Sequence, residues 1–351
     1  MVGMVPLYKP YMPPELPELE NILHSGALSY GKWGRQFESA LRSYIGVNCL
    51  LTTNTYAISI QIALTVLGLR PGDEVIASPM SCLASNQPLK TFGLEVKWAD
   101  VDPMTGTLSP DSVRSKISPK TRLIFHNHFC GYIGYVDEIN AIGQEFGIPV
   151  IDDCVEAFGS KYKNHRAGDL GTDVTVFSFQ TVRLPNTIDG GAIVFKDKGL
   201  YDAALLARDF GIDRSVFRDQ YGEISPDCDI TTPGYGGTMS ELNSYIGCAQ
   251  MEDIDSLLEK QKRNALNWNE KLEFDKLGNR AEIEPNYWVY GILSENKTSD
   301  MLNFREKGFY ASGVHLPNTY YSVFGSKEVL PGTQEFYNKF IALPSGWWYE
   351  L

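Results

Sequence analysis

Residues 174–195 read VTVFSFQTVRLPNTIDGGAIVF and hold two apolar runs, VTVFSF (174–179) and GGAIVF (190–195), joined by a short loop. Short runs rich in β-branched and aromatic residues, bounded by Gly, Pro and Asn, read as strands. The loop leaves no room for the helical crossover a parallel pair needs, so one of the two strands is expected to run antiparallel. Upstream lie five further candidates: CLLTTN (49–54), DEVIASP (73–79), LEVKWADV (94–101), TRLIFHNH (121–128) and IPVIDDC (148–154). Helical patterns separate most of them, as from Tyr56 to Leu67 and from Val136 to Phe146, and Gly and Pro mark joins at 69–73 and 146–149. This alternation implies an α/β fold with a seven-stranded, mostly parallel sheet covered on both faces. Ligands of such sheets bind beyond the carboxyl ends of the strands.

Beyond Gly247 a charged helical pattern, AQMEDIDSLLEKQKRNALNWNEKLEF (249–274), leads into a second region with a strand at NYWVYGILS (286–294). A large domain over residues 1–247 and a small α+β domain over 248–351 are expected, in keeping with 351 residues being too many for one small core.

Composition narrows the function classes. Hydrophobic residues make up 43% and charged residues 21%, as in ordinary globular proteins. A net charge of -12 argues against a nucleic-acid partner or an anionic membrane surface, while leaving room for one basic pocket. The six cysteines contain no CxxC pair, which argues against a zinc site or a disulfide framework and for a reducing cytoplasm. The N-terminal residues lack the basic and apolar regions of a signal peptide, and no apolar run reaches the ~18 residues of a membrane helix.

Six segments, in order, carry a resemblance. They are LSYGKWGRQFE (28–38), TTNTYAISIQIALTVLGLRPGDEVIASP (52–79), IFHNHFCGYIGYVDEI (124–139), VIDDCVEAFGSKY (150–162), FSFQTVRLPNTIDGG (177–191) and GYGGTMSELNSYIGCAQ (234–250). Together they resemble the DegT/DnrJ/EryC1/StrS family, aminotransferases that act on nucleotide-linked keto sugars. The resemblance implies an aspartate-aminotransferase-type fold, pyridoxal phosphate or pyridoxamine phosphate as cofactor, and a homodimer with sites between subunits. It also implies a last helix that this sequence, which runs to Leu351, does not supply.

Residue by residue, the resemblance places Asn54, Thr55 and Tyr56 where the family reads Ser-Gly-Thr and holds phosphate at a helix N-terminus. A plain Thr N-cap is the alternative. Ser178 matches a phosphate-binding serine. Asp153 matches the aspartate that keeps the pyridine nitrogen protonated, or else caps the helix that follows. Cys82 stands where an aromatic ring stacks on the pyridine, and a buried structural cysteine is the other reading. Glu156 stands where glutamine is common beside the cofactor's phenolic oxygen, which an ionised carboxylate would repel. His128 matches a strand histidine, structural or catalytic.

Counting from FSF (177–179) or back from DGG (189–191) sets Arg183 at the Schiff-base lysine. A neutral amine forms the imine and shuttles the proton; a guanidinium, with delocalised nitrogen lone pairs, does neither. Ile188, Gly236 and Thr238 depart from the family pattern as well. Three readings follow. One is an enzyme on a nucleotide-linked sugar, using non-covalent pyridoxamine phosphate with His126, His128 or Glu156 as base, or using no cofactor with Arg183 holding an anionic substrate. Another is an aminotransferase whose lysine was mutated. The third is an inactive subunit that supports an active homologue.

Overall fold

The computed structural model describes residues 3–277, 280–325 and 328–351. Its centre is a seven-stranded sheet made of β1 (Leu50–Thr53), β2 (Glu74–Ala77), β3 (Glu95–Trp98), β4 (Thr121–Asn127), β5 (Val150–Asp153), β6 (Val174–Ser178) and β7 (Gly191–Phe195). The order across the sheet is β1-β7-β6-β5-β4-β2-β3. β7 pairs antiparallel with both β1 and β6, and the other pairings are parallel. The short loop ahead of β7 therefore acts as expected. Every residue of β1, β2, β5, β6 and β7 is buried, and their apolar residues fill the core on both faces; Arg122 of β4 and most of the edge strand β3 reach the surface.

The helix Tyr56–Val66 lies close against this sheet, its N-terminus capped by the Thr55 side chain, which accepts from the Ile58 N–H at 3.2 Å. That closeness explains Gly191. A Cβ there would meet Ser59 Oγ at 2.5 Å and the Phe177 carbonyl oxygen at 2.9 Å.

Register decides which side chains share a face. Asn127 pairs with Asp153, and His126 with Asp152. Side chains alternate along a strand, so Asn127 and Asp153 point to one face while His126 and Asp152 point to the other.

A small antiparallel sheet joins Asp275–Lys276, Tyr290–Leu293 and Phe340–Leu343, and carries the helices Lys297–Glu306 and Pro331–Lys339. The expected division between residues 247 and 248 falls inside a single helix, Glu241–Lys271. The first part of this helix packs Met251, Ile254 and Leu258 on the large core; its later part packs Ala265 and Trp268 on the small one. The N-terminal segment also joins the C-terminal region. Val5 bridges to Phe309, and Leu7 packs in one cluster with Trp288 and Phe340. Among the described residues no helix is long and apolar enough to cross a membrane.

Candidate functional site

The carboxyl ends of β4, β5 and β6 open into a cleft of about 720 Å³, lined by Thr55, Tyr56, Cys82, Ser178 and Arg183 among others. Five residues singled out in the sequence are thereby brought together. Two more lie just beneath the lining. Asp153 is fully buried behind Tyr56, and Glu156, 3% exposed, lies against Arg183.

Three predicted residues, Asn54, His126 and His128, are not brought to the cleft. Asn54 turns away, its amide donating to the Gly236 carbonyl at 2.8 Å. His128 lies on the opposite face of the sheet, fully buried, where its Nδ1 accepts from the Gly134 N–H at 3.1 Å and its Nε2 sits 3.5 Å from Asp152. The physical reason is strand parity. His126, His128 and Asp152 share the face that Asp153 does not. Asp152 takes His126 at 3.0 Å and the Thr172 hydroxyl at 2.6 Å, and His128 and His126 hold its carboxyl well below the usual range against the opposing effect of burial.

Arg183 is the centre of the cleft wall. It is 8% exposed, its guanidinium lies over the Trp288 ring at 4.5 Å, and Nη1 sits 3.6 Å from Glu156 Oε1. Trp288 is itself fixed. Tyr8 stacks on it at 4.6 Å and 17°, and its indole N–H donates to the Val182 carbonyl at 3.1 Å. Nε and Nη1 of Arg183 are shut from solvent without a hydrogen-bond acceptor among the described residues. Buried charged donors are ordinarily paired, so this guanidinium is held in place with bonding capacity unspent.

Glu156 gathers donors. Its Oε2 accepts from the Cys130 N–H at 2.8 Å and its Oε1 meets His315 Nε2 at 2.9 Å. Burial alone would push its carboxyl up; the His315 and Arg183 charges and these hydrogen bonds outweigh that and hold it below the usual range. Asp153 goes the other way, because burial dominates its hydrogen bonds and raises its carboxyl. Sequence reasoning missed His315, Trp288 and Tyr8. All three are distant from the strand ends in the chain, and only the docking of the N-terminal and C-terminal segments delivers them.

The family model for the DegT/DnrJ/EryC1/StrS aminotransferases matches residues 13–347. This chain belongs to that family. Two solved structures agree over nearly the full length. Sugar aminotransferase CalS13 from Micromonospora echinospora shares 28% identity and superposes with a TM-score of 0.91, covering 99% of this chain and 96% of its own. AtS13 from Actinomadura melliaura shares 29% with a TM-score of 0.92, covering 99% and 95%. The PMP-form of Spr1654, a putative sugar aminotransferase from Streptococcus pneumoniae, shares the fold at 21% identity and a TM-score of 0.88, covering 99% and 94%.

Membership in the DegT/DnrJ/EryC1/StrS family implies pyridoxal or pyridoxamine phosphate, and the donor set can be tested against it. Thr55 and Ser178 remain at the cleft as hydroxyls suited to a phosphate. The ring site is different. Both Asp153 oxygens are taken: the Tyr56 hydroxyl donates to Oδ1 at 2.6 Å, joined by the Val155 N–H at 3.1 Å, and the Asn127 amide donates to Oδ2 at 2.8 Å. A pyridine nitrogen would have to replace the Tyr56 phenol, which fills the position between Asp153 and the cleft. Arg183 offers no imine-forming amine, and the Glu156 carboxylate lies beside it. These residues do not fit the cofactor.

Proposed function

We propose that this DegT/DnrJ/EryC1/StrS-family protein binds a nucleotide-linked sugar, in sugar or natural-product biosynthesis, and does so without lysine-based transamination. The observation that carries the reading is Arg183: a guanidinium at the lysine position, stacked on Trp288, with two buried nitrogens lacking acceptors. Arg183 lines the cleft, so an anionic group on the ligand bonds the guanidinium on the side that faces it, and Arg meets phosphate or carboxylate in a planar, two-pronged geometry. The sugar part of the reading rests on the family and on CalS13, which is a sugar aminotransferase.

The test is calorimetric titration with nucleoside-diphosphate hexoses, with the free nucleotide and with neutral hexoses. The nucleotide sugars are expected to bind, and Arg183→Met is expected to weaken them roughly 10- to 100-fold, the range for losing one charge-assisted contact. Absence of binding, or equal affinity in the variant, overturns the reading.

The same reading carries two further proposals. A homodimer is supported by the segment 212–234, which leaves Val216, Tyr221, Ile224 and Ile230 exposed; light scattering reads the mass. A cytoplasmic location is supported by six free cysteines, and cell fractionation tests it.

A further inference from the structure

The geometry points to Glu156 and His315 as a proton-transfer pair: His315 exchanges the proton on the carbon next to the carbonyl of a keto sugar held at Arg183. This inference rests on the sugar-binding reading above and adds an activity to it.

His315 lines the Arg183 cleft and also an adjoining cleft of about 720 Å³ beside the helix Lys297–Glu306, so its ring stands between two spaces open to a ligand. A carboxylate only accepts hydrogen bonds, so in the neutral imidazole the 2.9 Å contact with Glu156 Oε1 sets the proton on Nε2 and the lone pair on Nδ1. Nδ1 makes no hydrogen bond among the described residues. Glu156 is in turn pinned through Oε2 by the Cys130 N–H at 2.8 Å. The imidazole also packs edge-on against Phe129, centroid to centroid 5.9 Å at 81°.

The backbone is set for this placement at a cost. Val314, immediately before His315, has φ 56, and Cys130 has φ 54. A β-branched residue in the left-handed region is a strained outlier, and strain of this kind persists where surrounding structure holds it.

Arg183 Nη1 and His315 Nε2 converge on the same Glu156 oxygen, at 3.6 and 2.9 Å. A cation and a base with a fixed tautomer are thus side by side. The step balances without an external oxidant or reductant. The C–H bond beside the carbonyl breaks, its proton passes to His315 Nδ1, and its electron pair becomes an enolate whose oxygen Arg183 stabilises. Reprotonation from His315 restores the keto sugar, on the same or the other face. His315 is the catalytic residue of this step and Glu156 a positioning residue that acts through it.

The experiment places the full chain in D2O with a nucleoside-diphosphate-linked keto hexose. Proton NMR follows loss of the signal next to the carbonyl, and calorimetry in parallel gives the bound fraction. Exchange per bound molecule is expected well above the buffer rate, falling at least ~100-fold in His315→Gln. In Glu156→Gln exchange also falls, and long-range proton–nitrogen spectra show His315 losing its single Nε2–H tautomer, which a merely structural role would not produce. Binding without exchange, equal exchange in His315→Gln, or an unchanged tautomer in Glu156→Gln overturns this inference alone. Absence of binding overturns the sugar-binding reading and this inference with it.

Discussion

The floor and the wall of the cleft spend their polar groups in opposite ways. On the floor, Asp153 and Ser178 keep the family's residue types, yet Asp153 has been closed from within by Tyr56 and Asn127. On the wall, Arg183 and Glu156 depart from the family, and there the polar groups remain partly unspent around His315. A retained residue is therefore not a retained function. What matters is whether its hydrogen-bonding capacity is still available to a ligand, and at Asp153 both oxygens are already engaged by protein donors.

The largest effect expected is a restored cofactor site. Arg183→Lys combined with Tyr56→Thr returns the amine and frees Asp153, so pyridoxal phosphate should give an imine absorption band that borohydride removes. Arg183→Lys alone should retain far less cofactor, because the phenol still occupies Asp153; equal retention would break the contrast between floor and wall.

Next in size is the floor's structural role. Asp153→Ala leaves the Tyr56 hydroxyl, the Asn127 amide and the Val155 N–H without their acceptor, and should cost about 3 kcal/mol in chemical denaturation. A loss under about 1 kcal/mol would mean the network is incidental.

The two carboxyls also predict opposite pH behaviour. Glu156 is lowered from 4.5, so its contribution is present above pH 4.5 and is lost as pH falls through the lower folded value. Asp153 is raised from 3.8, so its contribution is present below pH 3.8 and is lost as pH rises through the higher folded value. Glu156→Gln should flatten the acid limb of the stability profile and Asp153→Asn the opposing one, as read by chemical denaturation across pH.

The smallest effect concerns Ile188, which is exposed by about half, yet keeps φ at 70. Ile188→Gly should raise stability by about 1 kcal/mol, the relief of a left-handed β-branched residue.

Most of the fold was legible because its cause is local. The central strands are buried and rich in apolar residues, and a loop too short for a helix forces β7 antiparallel. The hairpin Lys161–Tyr162 with His165–Arg166 was not legible, since two-residue strands carry no period; only Lys163 and Asn164, both at positive φ, mark its turn. No break marks the division at 247/248, because the long helix Glu241–Lys271 runs through it and serves both cores. In the site, parity could have removed His128 in advance, since Asp153 facing the cleft sends Asp152, His126 and His128 to the other side. No pattern announces that Tyr56 reaches Asp153, or that His315 reaches Glu156 from a segment 159 positions away.

The central claim is that the cofactor site is closed, and retention of cofactor tests it most directly. Purified protein is incubated with pyridoxal phosphate and with pyridoxamine phosphate, freed of excess, treated with borohydride where the aldehyde was used, and weighed both natively and after digestion. The account predicts that neither form is retained at stoichiometry and that no cleft residue carries an adduct. One equivalent of either form held per chain, lost on Asp153→Ala, would contradict it.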